Sequence, residues 1–439
     1  MPGTSLVSSL KWALFRLIER LSDLRGNSAD GALALRLPIQ PLASLWVFAS
    51  TIGELNAIDP LLRDIVARCP GLKLVLISEH THYRDSYLAR YPTAEFCVTR
   101  GHSRDAAVLA KHYPPQLLIV AEIPCWPSDA PCRFSFAFLR AAQRAGARIA
   151  LVNAWLYRYP PPSRMDAIER QLFQRDYLRA FDAIGVQTDE MRAQMLAAGA
   201  DAARMEVTGN IKFDAMQQPH WSVAQARSPV MLGALLASGR PTVVSGCVTN
   251  FLEQQMVLDA FAALRARHPS ALLILAPRHP EVSERMSVLS KYLAERRLPA
   301  LFRSSLSDQA IAPDCACLVL DTMGELRDFY AAATVAHVGV DHNVLEPMGY
   351  GKPVTVTTGW NDTYPSFPVY RLLIEAQALI EVTTAEKLAE LWRALIEQPS
   401  QYADRVQRNE AALAQARGAV QRHIELLAPL LPKPAAIHP

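Results

Sequence analysis

The sequence contains no apolar run of the roughly 18–20 residues that a bilayer-spanning helix needs. No secretory signal is evident, because residues 5–24 lack a clean apolar core and a small-residue cleavage site. An excess of one charge is also missing, since the formal net charge is only +3 over 439 residues. This balance gives no support for a nucleic-acid partner, which would need a strongly basic surface. Half of the residues are hydrophobic, as in a globular protein of two or three domains.

Cysteine is scarce and follows no metal-binding pattern. The seven cysteines include no CxxC pair, and the nearest two, Cys315 and Cys317, are separated by one alanine. Such a set fits a reducing cytosol, in which thiols serve as small buried side chains. The chain also lacks GxGxxG, GxxxxGKS/T and GxSxG motifs, so P-loop and serine-hydrolase functions have no support. Because no DxD motif is present, we expect chemistry without a metal or any other cofactor.

From residue 45 onward, short apolar runs alternate with longer mixed segments. This pattern is typical of parallel strands joined by crossover helices. It breaks over residues 215–240 and then begins again, which predicts an α/β protein of two doubly wound domains facing each other. The predicted strands are Leu45–Ala49, Leu74–Ile77, Leu117–Val120, Ile149–Val152, Ala183–Val186, Glu206–Val207, Pro241–Ser245, Leu272–Leu275, Cys317–Leu320, Val335–Val338 and Val354–Val356.

The same pattern divides the chain into five segments. In doubly wound sheets, ligands bind outside the carboxyl ends of the strands, so we expect the site in a cleft between the two domains. The segments are an N-terminal amphipathic helix and linker (1–30), a first Rossmann-like domain (31–214), a linker (215–240), a second Rossmann-like domain (241–400), and a C-terminal helix and tail (401–439).

Residues 5–24 carry apolar side chains at helical spacing, interrupted or flanked by Lys11, Arg16 and Arg20. Such an amphipathic helix can lie on an anionic membrane surface or pack on the protein's own body. We favour the membrane surface, because the segment precedes the first strand and is followed by a loose glycine-containing linker at residues 26–31.

In the first half, polar residues follow three predicted strands. Ser50, Gly53 and Glu54 come after the first strand, Glu122 comes directly off an apolar run, and Asn153 has the same placement one strand later. A carboxylate at the end of a buried strand is either paired with a cation or part of a site. Glu54 is a candidate general base if it faces the cleft; otherwise it is an acidic residue that favours the helix dipole.

In the second half, the strand ends offer groups suited to phosphate. Ser245 and Gly246 are small residues where a phosphate can approach. Arg278 is a natural clamp for phosphate or carboxylate, and His279 beside it can donate a hydrogen bond or cap a helix. The loop at residues 321–326 presents backbone groups that can recognise a base edge. Together these groups indicate a nucleotide ligand.

Residues 339–347 are the most informative stretch. A strand ends, a glycine turn follows, and we expect a helix with His342, Asn343 and Glu346 on its first turn. Free N–H groups at a helix N-terminus suit phosphate, and a carboxylate one turn in can accept hydrogen bonds from two ribose hydroxyls. These features suggest a nucleotide-sugar pocket; the alternative is a capped helix with solvated polar residues.

Three runs, Gly209–Asp214, Asp321–Leu326 and His342–Pro347, carry a family resemblance most specifically. With four others they extend over nearly the whole body of the chain, and in this order they resemble the 3-deoxy-D-manno-octulosonic acid (Kdo) transferases of lipopolysaccharide synthesis. That family is inverting, has the GT-B fold of two Rossmann-like domains facing across a cleft, and uses CMP-Kdo and a lipid A precursor. The four others are Ser50–Glu54, Glu122 with Trp126 and Pro127, Val152–Ala154, and Pro277–Glu281.

The resemblance implies a role for each matched residue. Glu54 matches the catalytic base that deprotonates the acceptor hydroxyl, and Glu122 matches a second acidic residue on the acceptor side. The first domain would bind the acceptor and the second the CMP-sugar, and the protein would lie peripherally on the cytoplasmic face of the inner membrane. The predicted donor-binding residues are Lys212, Ser245, Gly246, Arg278, His279, Met323, Gly324, Glu325, His342, Asn343 and Glu346, and the predicted acceptor-side residues are Ser50, Gly53 and Asn153.

Within this set, three matches are more specific. Met323 and Gly324 match the loop that recognises cytosine, and Asn343 and Glu346 match a donor-side polar pair. Lys212 matches a lysine between the domains, for which we hypothesise contact with the donor's carboxylate or phosphate.

The chain departs from the family pattern at several points. The family's threonine-rich run after the second strand is Ser78–Tyr83 here, and its Ser-Thr-His-Glu-Gly-Glu loop is replaced by Cys247–Leu252. A Glu-Leu-Trp-Pro-Asn stretch is altered at residues 123–128, and the Gly-Gly before His342 is missing. These departures leave the exact sugar and acceptor open.

Three functions follow from the sequence. The one we favour is transfer of Kdo or a related sugar acid from CMP to a lipid-linked acceptor at the membrane. The second is another GT-B reaction, such as nucleotide-sugar epimerisation, which would require UDP binding. The third is a non-catalytic nucleotide-binding or partner protein, for which the altered loop Cys247–Leu252 is the best support.

Overall fold

The computed structural model places most of the chain. The sequence predictions on Glu79, on residues 123–128 and on the outer parts of the 5–24 segment lie outside the described residues. The described residues are 10–17, 37–78, 80–98, 103–122, 136–156, 164–215, 222–364 and 366–432.

The chain divides into two compact units. The first comprises Met1–Ala215 together with Arg417–Pro439, and the second comprises Met216–Ala416. The first boundary falls one residue beyond the predicted end of the first domain. Of the predicted linker 215–240, Ala215 belongs to the first unit, whereas residues 222–240 belong to the second and contain a ten-residue helix. The predicted C-terminal segment 401–439 is shared between the two units.

Within its described residues, the first unit contains a seven-stranded parallel sheet. The strand order is β3-β2-β1-β4-β5-β6-β7, which is a doubly wound arrangement with its switch point between β1 and β4. The inner strands form because runs of leucine, isoleucine and valine are buried on both faces of the sheet. The strands are β1 (Ser44–Phe48), β2 (Lys73–Ser78), β3 (Glu95–Val98), β4 (Pro115–Ala121), β5 (Arg148–Ala154), β6 (Ala183–Val186) and β7 (Met205–Val207).

Helices connect these strands. Apolar residues of the helices and of the two sheet faces form the core of the unit. The helices are α1 (residues 10–17), α2 (Ile52–Arg68), α3 (Arg84–Arg90), α4 (Ser103–His112), α5 (Phe136–Arg144), α6 (Arg164–Leu178), α7 (Asp189–Ala197) and α8 (Lys212–Ala215).

The second unit repeats the design. Its described residues contain another seven-stranded parallel sheet, of order β10-β11-β9-β8-β12-β13-β14, in which the switch point lies between β8 and β12. Two doubly wound α/β units therefore confirm the predicted fold class. The strands are β8 (Thr242–Val248), β9 (Leu272–Pro277), β10 (Ala300–Phe302), β11 (Cys317–Val319), β12 (Val335–Val338), β13 (Val354–Thr357) and β14 (Leu379–Val382).

The predicted C-terminal segment 401–439 contains most of helix α16 and all of helix α17, and these two helices belong to different units. Gly418 has a positive φ of 91°, and the break there separates the last helix of the second unit from α17, which packs in the first unit. The helices are α9 (Pro229–Ser238), α10 (Phe251–Arg267), α11 (Ser283–Glu295), α12 (Leu326–Phe329), α13 (Leu345–Gly349), α14 (Phe367–Glu375), α15 (Ala385–Glu397), α16 (Pro399–Ala416) and α17 (Ala419–Leu427).

Three strands, β3, β10 and β14, were not predicted from the sequence. All three lie at sheet edges and have only three or four residues each. Every residue of β10 is partly exposed, and β3 and β14 each contain two residues that are not buried. An edge strand of this kind needs no continuous apolar run, so it leaves little signal in the sequence.

Helix α1 packs on the body of the first unit. Phe15 is buried, and its ring lies 5.7 Å from those of Phe136 and Phe173, while Trp12 stacks on Phe15 at 5.3 Å. Of the two predicted alternatives for residues 5–24, packing on the protein's own body is therefore observed for Trp12 and Phe15. None of the described helices combines the length and apolarity needed to cross a membrane.

Candidate active site

Glu54 lies at the carboxyl end of β1, on the first turn of α2. Thr51 caps this helix by accepting the backbone N–H of Glu54 at 3.2 Å, and the Glu54 Oε2 atom accepts the backbone N–H of Ser50 at 2.6 Å. The Glu54 residue is only 5% exposed. Gly53 lies between cap and carboxylate in open surroundings. These contacts fix the carboxylate against the end of the strand, so the structure brings together the three residues predicted there.

Glu122 directly follows β4, the strand on the other side of the switch point. Its backbone takes a left-handed conformation with φ of 55°, held by hydrogen bonds from its N–H to the Val152 carbonyl and to its carbonyl from the Trp155 N–H. Its buried Oε1 lies 2.8 Å from Lys212 Nζ and accepts from Asn153 Nδ2 at 3.1 Å. The carboxylate is thus both paired with a cation and hydrogen-bonded, as burial of a charge requires.

Asn153 connects several elements at this point. Its Oδ1 atom accepts the backbone N–H of Ile211 at 3.0 Å, and its carbonyl accepts the Gln187 side-chain amide at 2.9 Å. Its own N–H donates to His423 at 3.0 Å. Gln187 and His423 were not singled out from the sequence, because neither lies in a motif and His423 is 270 residues away from Asn153. Only the fold brings them to this site.

In the second unit, Arg278 and His342 lie together beyond the switch point. Arg278 NH1 is 2.9 Å from His342 Nδ1, and the Thr249 hydroxyl is 3.1 Å from His342 Nε2. Burial, together with the neighbouring Arg278 charge, lowers the pKa of His342 to about 4, so its ring is neutral at pH 7. His279 Nδ1 lies 2.9 Å from Glu281. The predicted residues that follow β9 and β12 thus converge on one cluster around Arg278 and His342.

The helix expected over residues 342–346 begins later than predicted. Helix α13 starts at Leu345, so His342 and Asn343 lie in the preceding turn and only Glu346 is on the first helical turn. Asp341 adopts a positive φ of 66°, which no helix allows. The helix has only five residues, so the predicted phosphate site at a helix N-terminus is not formed in this way.

Glu346 keeps the predicted pairing with Asn343. Asn343 Nδ2 lies 3.4 Å from Glu346 Oε1, and Asn343 Oδ1 accepts the backbone N–H of Leu345. Burial raises the pKa of the Glu346 carboxyl group, although Arg327 and the Asn343 hydrogen bond act in the opposite direction. The carboxyl group is therefore desolvated, which strengthens any hydrogen bond that it accepts.

The loop containing Met323 and Gly324 is held from the segment that was predicted as a linker. Arg227 donates to the Met323 carbonyl at 2.7 Å, and its guanidinium lies where a side chain on Gly324 would clash. Met323 is 76% exposed. Glu325 is buried instead, and its carboxylate accepts from Ser228, Thr322 and Arg303. Glu325 therefore holds the loop through its hydrogen bonds, while the Met323 side chain is exposed to solvent.

The end of β8 is tightly packed. A Cβ atom on Gly246 would lie 2.0 Å from the Tyr330 hydroxyl, so only glycine fits there. Ser245 is fully buried in the same strand. The polar groups predicted in this unit thus form two clusters, one around Arg278 and His342 and one around Glu325. No group of three or more potential metal-ligating side chains occurs in the part of the chain that the structure describes.

Comparisons with known proteins agree on one family. Residues 16–215 match the family described as 3-deoxy-D-manno-octulosonic-acid transferase (kdotransferase). The 3-deoxy-D-manno-octulosonic acid transferase of Bordetella pertussis is 30% identical over 355 residues, which cover 76% of each chain. The enzyme of the same name from Haemophilus influenzae is 26% identical over 402 residues, covering 89% of this chain and 88% of that one.

Similarity to solved structures extends to the fold. The UDP-GlcNAc 2-epimerase from Neisseria meningitidis, solved with UDP-GlcNAc, superposes with a TM-score of 0.59 and covers 88% of this chain and all of its own. Its sequence identity is 15%. At that identity, the likeness shows a shared two-unit α/β architecture and carries nothing about the reaction.

The buried pair of Glu122 and Lys212 makes a testable prediction. Lys212→Met should lower the free energy of unfolding by about 1–3 kcal/mol, because it leaves a buried carboxylate without its cation. Glu122→Gln in the same chain should restore most of that loss, since the amide needs no counter-charge. Urea unfolding of the two single variants and the double variant measures the coupling. Additive losses would contradict the pairing.

Proposed function

We propose a reaction for this chain from one premise: the chain belongs to the Kdo transferase family and is therefore a glycosyltransferase. The reaction is transfer of Kdo, or a related sugar acid, from a CMP-activated donor to a lipid A precursor or a similar membrane-associated glycan. The observation that carries the proposal is the position of Glu54, a buried carboxylate at the switch point of the first sheet.

Glu54 is the proposed general base. In an inverting transfer, the acceptor oxygen forms a bond to the anomeric carbon as the bond from that carbon to the CMP oxygen breaks. The hydroxyl proton passes to the Glu54 carboxylate, and CMP leaves as the anion. The Ser50 N–H orients one carboxylate oxygen of Glu54. Besides this base, the protein has to position the two substrates and compensate the negative charge of the leaving group. We assign no cofactor or metal to this step.

The proposed acceptor side also includes Glu122 and Asn153, while Lys212 is the proposed donor-binding residue of the first unit. Glu122 directly follows β4, the neighbour of β1, and Asn153 lies near the end of β5, the next strand along the sheet. The ammonium group of Lys212 is held by Glu122. Because an ammonium group has three donors, Lys212 can keep this ion pair and still bind the donor's carboxylate or phosphate. Removal of Glu122 would therefore affect both the acidic group and the orientation of the lysine.

The proposed donor site uses the second unit. Arg278 and the neutral His342 supply donors for phosphate, with His279 beside them. The desolvated Glu346 carboxyl group, with Asn343, can accept hydrogen bonds from the two ribose hydroxyls. We assign contact with the cytosine to Met323, whose side chain is exposed, and to the backbone at Gly324.

CMP should stabilise the purified protein in a thermal-shift assay, whereas UMP, UDP and ADP should not. A ligand at a hundred times its dissociation constant adds about 2.7 kcal/mol to the folded state. Arg278→Ala and Glu346→Ala should each weaken the effect, because each removes one contact to the nucleotide. A shift with UDP alone would favour the epimerase alternative, and no shift with any nucleotide would favour the non-catalytic one.

Glu54→Gln should lower the transfer rate by about 10²–10⁴-fold, because an amide cannot accept the hydroxyl proton. Stabilisation by CMP should be unchanged, since the proposed nucleotide contacts of Arg278, Asn343 and Glu346 lie in the other unit. The matched control is Glu95→Gln, a carboxylate at the edge strand β3 that pairs with Lys73. Transfer by Glu54→Gln at the wild-type rate would refute the proposed base.

We further propose a peripheral position on the cytoplasmic face of the inner membrane, through helix α1. Leu10, Leu14 and Leu17 are 63%, 39% and 53% exposed and lie at helical spacing. The guanidinium groups of Arg140 and Arg144 lie 5.9 and 5.2 Å from the centre of the Trp12 ring. Exposed leucines beside cationic groups suit a surface of anionic lipids.

Replacing Leu10, Leu14 and Leu17 with aspartate should reduce co-sedimentation with liposomes containing anionic lipid. The substitutions leave Trp12 and Phe15 on the body of the unit, so folding should be retained. A matched triple change of Glu386, Glu390 and Gln401 to alanine on exposed helices should leave co-sedimentation unchanged. Equal co-sedimentation of wild type and the leucine variant would refute this contact.

A further inference from the structure

Helix α17 is tied to the Gly209–Asp214 run, which carries much of the family resemblance. The Asp214 carboxylate accepts the backbone N–H groups of Gly418 and Val420, at 2.8 and 2.6 Å. Arg422 Nε donates to the Thr208 carbonyl at 2.8 Å. These bonds anchor the start of α17 on the turn that leads into α8. The C-terminal helix is thereby held next to the residues of the proposed acceptor side.

His423 is the residue of α17 that enters this site, and it is completely buried. Its Nδ1 atom lies 2.8 Å from the Ala419 carbonyl, which can only accept, so Nδ1 carries the hydrogen. Its Nε2 atom is then an acceptor, 3.0 Å from both the Asn153 backbone nitrogen and the Thr208 hydroxyl. The imidazole ring is therefore held as one defined neutral tautomer.

The Asn153 N–H needs this acceptor. Asn153 has a left-handed backbone, with φ of 53°, and the pairing of β5 with β6 is irregular between Leu151 and Ala154. Its N–H is therefore turned out of the regular ladder while remaining buried, where an unpaired donor is costly. The same backbone directs the Asn153 side chain to Glu122. The bond to His423 thus stabilises the conformation on which the Asn153–Glu122 contact depends.

Gly185 of strand β6 packs directly against the imidazole ring of His423. A Cβ atom on Gly185 would lie 2.7 Å from both His423 Nε2 and the Thr208 hydroxyl. Any side chain at position 185 would therefore displace the histidine. Glycine is needed at position 185 of β6 because the imidazole of His423 approaches the strand backbone closely.

We propose that His423 is a positioning residue of the acceptor side, acting through the Asn153 N–H to fix the Glu122 carboxylate. This inference deepens the proposed function and depends on it. His423 is not a catalytic residue, since its described contacts are with Asn153, Thr208, Ala419 and the Gly185 backbone. The C-terminal helix is accordingly part of the machinery that orients the acceptor, although its sequence lies far from the other acceptor residues.

The test compares two substitutions with opposite expectations. In His423→Gln, the side-chain oxygen can occupy the place of Nε2 and still accept the Asn153 N–H. In His423→Leu, bulk is kept and the acceptor is lost. We expect kcat/KM for the acceptor to fall about 100-fold in His423→Leu and to be largely restored in His423→Gln. Stabilisation by CMP through Arg278, Asn343 and Glu346 should stay near its wild-type value in both, because these residues belong to the other unit.

Two controls separate positioning from a general loss of structure. Gln421→Ala lies on the exposed face of the same helix and pairs only with Glu425 in the described contacts, so it should leave the kinetics unchanged. In a double-mutant cycle, His423→Leu should add little to Glu122→Gln, because both act on the same carboxylate. Independent, multiplicative effects would overturn the proposal. If His423→Leu does not unfold cooperatively, His423→Asn replaces it, since its shorter side chain cannot reach the Asn153 N–H.

Amide hydrogen exchange supplies a readout that needs no transfer assay. The amide of Asn153 should exchange faster in His423→Leu than in wild type, and at nearly the wild-type rate in His423→Gln. Unchanged protection in His423→Leu would overturn the positioning role even if the wild type is an active transferase. If the wild type transfers no sugar acid, the proposed function fails, and the exchange rates still decide whether His423 holds Asn153.

Discussion

The ion pair of Glu122 and Lys212 is the interaction on which the acceptor half of this protein depends. Taking a carboxylate out of water costs several kcal/mol, so it persists only where a cation and hydrogen bonds compensate. Here Lys212 supplies the charge and Asn153 supplies the amide donor. Each partner is held in turn, Lys212 by its place on α8 and Asn153 by bonds to Gln187, Ile211 and His423. Strand ends, a short helix and the C-terminal helix are thereby ordered around one buried charge.

The two units place chemically different groups at equivalent positions of their sheets. In each, the proposed functional groups lie at the switch point of a parallel sheet, where neighbouring crossover helices leave on opposite faces. The first unit places carboxylates there, which suits removal of a proton from an acceptor. The second places Arg278 and a neutral His342, which suits an anionic leaving group. A neutral imidazole beside an arginine also avoids repulsion between two cations, and it can still donate or accept one hydrogen bond.

The sequence predicted the fold well where burial dictates it. Inner strands such as Val335–Val338 were found because both faces are buried, whereas β3, β10 and β14 were missed because edge strands need no continuous apolar run. The candidate site residues could be proposed from the sequence because they follow predicted strands. The start of α13 was wrong by three residues, because the Asn343 side chain accepts the Leu345 N–H and the helix begins only there. Arg227, Gln187 and His423 were not found, because only long-range packing brings them to the site.

The departures of this chain from its family acquire a physical interpretation from these contacts. Within Cys247–Leu252, Thr249 contacts His342, and Asn250 caps α10 by accepting the Glu253 N–H at 2.7 Å. The loop therefore retains the Thr249 hydroxyl beside His342 and Arg278, and Asn250 still caps α10, although the sequence of the loop differs from the family pattern. Cys247 takes a left-handed backbone, and burial raises the pKa of its thiol to about 12. It is a half-buried, neutral group at neutral pH, so the altered loop changes the polarity around the proposed donor site more than the contact between His342 and Arg278. In the proposed reaction that difference would act on the choice of sugar acid, because the contacts proposed for the nucleotide are made by residues outside this loop.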